Sequence, residues 1–129
     1  SMSNSHQKSA GLKQLAPCPQ TPNCVSSETS DAHHYIKPIA YEGTVEKAKG
    51  RLRQTLLSIP RVLIVHEESS YIHAECTSWL FRFTDDVEFV FDDTQKVIQV
   101  RSASRIGYSD LGVNRKRVET IRRLFSQTK

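Results

Sequence analysis

From Tyr71 to Arg101 the chain alternates apolar and polar side chains with a period of two, interrupted by short polar clusters. In an extended strand, successive side chains point to opposite faces. This stretch therefore predicts a sheet with one buried and one polar face. Ile72, Ala74 and Cys76 fall on one side of Tyr71–Ser78, with Tyr71, His73, Glu75 and Thr77 on the other. Trp79–Phe83 sets Trp79, Phe81 and Phe83 against Arg82, and Asp86–Phe91 sets Val87, Phe89 and Phe91 against Asp86, Glu88 and Val90. Lys96–Arg101 sets Ile98 and Val100 against Val97, Gln99 and Arg101, and the apolar run Val62–Val65 adds a strand over Arg61–His66. Short connections such as Glu67–Ser70 and Asp92–Gln95 suit antiparallel neighbours.

Helical spacing brackets this meander. Val45, Ala48, Leu52, Leu56 and Ile59 recur on one helical face, Thr44 can cap, and Pro60 stops the helix. Val118, Ile121, Leu124 and Phe125 form the stripe of a last helix, with Asp110 or Asn114 as its cap. The expected fold is α+β: an antiparallel meander of about four or five strands with two helices packed on one face. A sheet curved around the C-terminal helix, as in lipid-binding helix-grip folds, is the neighbouring arrangement and would carry an apolar cavity.

A chain of 129 residues fits one domain with one core. Residues 1–14 read as a disordered tail, 15–129 as the domain, and Leu15–Tyr41, with four prolines, as an irregular wrap. Ser1-Met2 reads as a cleavage remnant, and Ser3–Gly11 has no apolar signal region. No apolar run approaches the roughly 20 residues of a membrane span. The chain as it stands therefore reads as soluble and cytoplasmic, with a periplasmic, lumenal or lipid-anchored placement if a leader has been removed.

Cys18 and Cys24, spaced unlike a CxxC redox motif or a zinc knuckle, are either free thiols of a reducing compartment or a disulfide closing a short proline-rich loop. Cys76 reads as a core residue.

The segment Arg101–Arg117 is the richest in polar chemistry. Arg115, Lys116 and Arg117 crowd the first turn of the last helix, where cations oppose the helix dipole. That misfit calls for a nearby anion, either a protein carboxylate (Asp110, Glu75, Asp86 or Glu88) or a ligand carboxylate or phosphate held near Arg101 and Arg105. The candidate ligand-binding set is Arg101, Ser104, Arg105, Asp110, Asn114, Arg115, His73 and Glu75, of which Arg101, Ser104, Arg105, Asp110, Asn114 and Arg115 are expected to converge in one small region.

His73, Glu75, Asp86 and Glu88 have no metal-specific spacing, and opposite charges on neighbouring strands ordinarily pair with each other. Asp85 and Asp86 should point to opposite faces and so form no catalytic dyad. No Gly-rich phosphate loop, GxSxG or HExxH is present, nor a nucleic-acid reader motif. No catalytic residue, metal site or cofactor is assigned. A net charge of +4 agrees with a small anionic ligand or a protein partner.

Leu15-Ala16-Pro17-Cys18-Pro19, Pro22–Ser27, Tyr71–Glu75, Phe81–Phe89 and Arg101–Arg115 together resemble domain-of-unknown-function family 1499, over about Leu15 to Phe125. That family carries no assigned activity, so the resemblance implies no catalytic residues. Many of its members carry secretory or lipoprotein-type N-termini, and none is visible in this sequence. The functional expectation is a non-enzymatic binding or accessory module with an Arg/Asp/Asn site at the last strand-to-helix junction. An enzyme acting on a small carboxylate or phosphate is the alternative.

Overall fold

A computed structural model describes residues 11–78, 83–107 and 111–129. The expected strand Trp79–Phe83, the Asp110 cap and the tail up to residue 10 lie largely or wholly outside those residues. Four long strands form the meander: β3 (Val62–Glu68), β4 (Tyr71–Thr77), β5 (Thr84–Asp92) and β6 (Val97–Ser104). They follow two short strands, β1 (Cys24–Ser26) and β2 (Ile39–Ala40), and helix α1 (Val45–Leu57); helix α2 (Val113–Gln127) closes the chain. The sheet is antiparallel with order β1-β6-β5-β4-β3, and β2 also pairs with β6, making six strands rather than four or five. The two additional strands lie in the segment expected to be irregular. They are too short for alternation to show, and β6 supplies their pairing from far along the chain.

Register sets the core. Phe89 sits opposite Ile72 and Val100, and Val87 opposite Ala74. These side chains face the helices and pack with Leu52 and Leu56 of α1 and Val118, Ile121 and Phe125 of α2, all fully buried or nearly so. Both helices therefore cover one face. Thr44 caps α1, its hydroxyl accepting from Lys47 N at 3.1 Å. At the other end of α1 the chain turns through Arg61, whose φ of 61° is a left-handed backbone that a long side chain rarely adopts. Arg51 ties the helices together, its guanidinium 4.1 Å over the Phe125 ring and donating to Phe125 O at 2.9 Å.

The second face of the sheet is not all open. Leu15, with Leu12 beside it, packs on Tyr71 and Val90, so Val90 is fully buried although alternation puts it among polar neighbours. Lys13 Nζ lies 4.6 Å above the Tyr71 ring and 3.2 Å from Glu68 Oε2. Gln99 is likewise covered, accepting from Ser27 Oγ at 2.7 Å.

Cys18 and Cys24 are joined in a disulfide that staples this N-terminal segment to β1, and Cys76 is a free, buried thiol. Closing so short a loop stabilises the fold by about 2 kcal/mol through the unfolded chain. Alkylation of the denatured, unreduced protein should label one thiol, Cys76, and reduction should lower stability by about that amount. Three labelled thiols would contradict the bridge.

Candidate functional site

The β6-to-α2 junction is sorted by strand parity. Ser102 lies opposite Val87 and Ser104 opposite Asp85, so these residues face the helices; Arg101 lies opposite Glu88 and points to the other side. On the helix side, Asn114, the second residue of α2, is completely buried. Its side-chain oxygen accepts from Ser102 Oγ at 2.6 Å and from Arg117 Nη1 at 2.8 Å. Its amide donates to Ser104 Oγ at 2.9 Å and to Asn23 O at 3.2 Å. Asn114 thus does not cap α2. The cap is Gly112, with a φ of 80° that glycine adopts without strain.

Arg117 continues the network to the buried Asp85, with Nη2 2.8 Å from Oδ2. Asn23 completes it, donating to Gly107 O at 2.9 Å while Thr21 Oγ1 donates to its oxygen at 2.8 Å.

On the far face, Arg105 donates from Nε to Asp86 Oδ2 at 2.8 Å and from Nη2 to Glu75 Oε2 at 2.6 Å. His73 Nε2 lies 2.7 Å from Asp86 Oδ1. The hydrogen bonds from Arg105, and then that from His73, hold the Asp86 carboxyl below its ordinary range, against an opposing effect of burial. Glu88 accepts from Tyr71 OH at 2.5 Å and lies 3.9 Å from Arg101. Arg101 Nη2 donates to Pro17 O at 3.2 Å, whereas its buried Nε has no hydrogen-bond partner among the described residues. Burial of Tyr71 and its bond to Glu88 push the phenol up.

The expected set therefore does not converge. Strand parity separates Arg101, Arg105, His73 and Glu75 from Ser104 and Asn114, and Asp110 lies outside the described residues. Arg115 reaches away from both groups, donating to Tyr35 O at 2.8 Å and His33 O at 3.3 Å. Sequence reasoning missed Asp85, Ser102, Arg117 and Asn23. The alternation that places Asp85 and Asp86 on opposite faces could have identified Asp85 as the partner of a helix cation. Among the described residues, no cluster of His, Cys, Asp and Glu has metal-binding geometry.

A family model described as a protein of unknown function (DUF1499) matches residues 14–125. The chain belongs to this family. The DUF1499 match spans both partners of the buried network, from Asn23 to Arg117. No curated protein matches the sequence. No described helix is long and apolar enough to cross a membrane.

The far-face pairing predicts a pH dependence. A lowered Asp86 pKa contributes stability that is complete above the ordinary aspartate value of about 3.9 and is lost as pH falls through the lower folded value. In Arg105→Ala the Asp86 carboxyl should titrate at higher pH, and the acid-side loss of stability should shrink. NMR titration of the carboxyl checks this; identical Asp86 titrations in the two proteins would contradict the pairing.

Proposed function

We propose that this domain is a non-enzymatic binding module that takes an anionic partner at the strand-to-helix junction. The observation that carries the reading is the surplus of uncompensated cations around the head of α2. Arg117 has Asp85, and Arg105 has Asp86 and Glu75. Arg115 rests on neutral carbonyls, while Arg61 and Lys116 enter no ion pair among the described residues. Cations in the first helical turns raise the local potential instead of offsetting the dipole, and an anion arriving there relieves both.

The far face supports the non-enzymatic part of this reading. An enzyme working there would need a carboxylate released from Arg105, which pairs with both Asp86 and Glu75. The disulfide supports work in an oxidising compartment rather than the cytoplasm that the bare sequence suggests.

Thermal-shift measurements with organic acids and phosphates at low salt test this function. A ligand at ten times its Kd adds about 1.4 kcal/mol, raising Tm by about 4–6 °C in a domain of this size. Lys116→Glu should remove the rise, and Arg105→Ala should preserve it. No rise with any of these anions, or a rise untouched by Lys116→Glu, would overturn the reading.

A further inference from the structure

Beside the junction is a hollow whose wall includes Arg117, the partner of Asp85. It measures about 360 Å³ and opens between the end of α1, the start of β3, the end of β4 and the first turns of α2. Pockets that enclose small organic ligands begin at about 300 Å³. Its floor is apolar, formed by Ile59, Val62, Cys76 and Ile121. Arg61, Lys116 and the Asp85-paired Arg117 also line it, and no lining residue among the described ones is acidic. Neither Arg61 nor Lys116 is in an ion pair among the described residues. An apolar floor under two uncompensated cations matches a ligand that is apolar at one end and anionic at the other.

The backbone at Arg61 is a second, independent observation. This residue holds a left-handed conformation at the lip of the hollow, where its carbonyl accepts from Thr77 N at 3.0 Å. Glycine or asparagine would adopt that φ more readily. Unfavourable backbone geometry at a pocket lip is a recurrent mark of a functional position.

We infer that this hollow binds a free amphipathic monocarboxylate, its chain against Val62, Cys76 and Ile121 and its carboxylate between Arg61 and Lys116. The inference rests on the anion-binding reading above and narrows it to a ligand class and a place. Lys116 would steer and pair with the head group, while chain burial would supply preference for longer over shorter acids.

Calorimetric titration of the full chain with monomeric octanoate, acetate and 1-octanol is the test. Octanoate should bind at least about tenfold more tightly than either of the others, a gap of about 1.4 kcal/mol. Arg61→Asn should bring octanoate down towards octanol while leaving apo Tm unchanged or higher, because asparagine tolerates the left-handed backbone. A purely structural Arg61 would instead lower apo Tm. Thr120→Trp, which fills the hollow from the helix surface, should abolish octanoate binding without affecting acetate. Acetate binding as well as octanoate would overturn the hollow while leaving the anion reading intact, and equal octanol binding would overturn the carboxylate assignment. No binding by any of the three would overturn the inference; if phosphates and other organic acids also left Tm unmoved, the anion reading would fall with it.

Discussion

The hydrogen-bonded network around Asn114 ties α2 to the sheet. A helix laid on an apolar sheet gains stability from burial alone, but burial is non-directional and does not specify how the helix is rotated. Asn114 supplies that direction. Its side chain has two acceptor positions and two donor hydrogens, and Ser102, Arg117, Ser104 and Asn23 use all four. Rotating α2 would leave several buried polar groups unsatisfied, each at a cost of about 1–3 kcal/mol. The Asp85–Arg117 pair adds a charge-assisted link with a larger penalty for losing one partner.

The network also controls the surface. With Asn114 turned inward and Arg117 held by Asp85, Lys116 is left exposed, lining the hollow with Arg61 and Arg117. The same network reaches back through Asn23 to the N-terminal segment, which the disulfide holds at β1 and Leu15 holds across Tyr71 and Val90. One set of contacts therefore places three parts of the chain: α2, the sheet edge and the strap over the far face. Arg101, under Pro17 O, shows how closely that strap covers the sheet.

The long strands and both helices were legible because their signals are local. Alternation from Tyr71 to Arg101 and the stripes of α1 and α2 require only near neighbours in sequence. β1 and β2 were illegible for the opposite reason, since their partner β6 lies far away along the chain. Val90 was read as a polar-face residue because alternation carries no information about Leu15 lying over it. Asn114 was read as a cap because asparagine commonly caps helices, and a buried network outweighed that local preference. The division of the candidate site is local as well: Arg101 and Arg105 share one parity, and Ser102 and Ser104 the other.

A double-mutant cycle on Asp85 and Arg117, measured by urea denaturation, tests the account most directly. Asp85→Asn and Arg117→Met should each destabilise the fold, and the double variant should lose less than their sum. The predicted coupling is about 1–3 kcal/mol, the range for contacting residues in one buried network. Additivity within about 0.5 kcal/mol would mean that this pair does not fix α2 on the sheet, and the placement of Lys116 and the hollow would lose its physical basis.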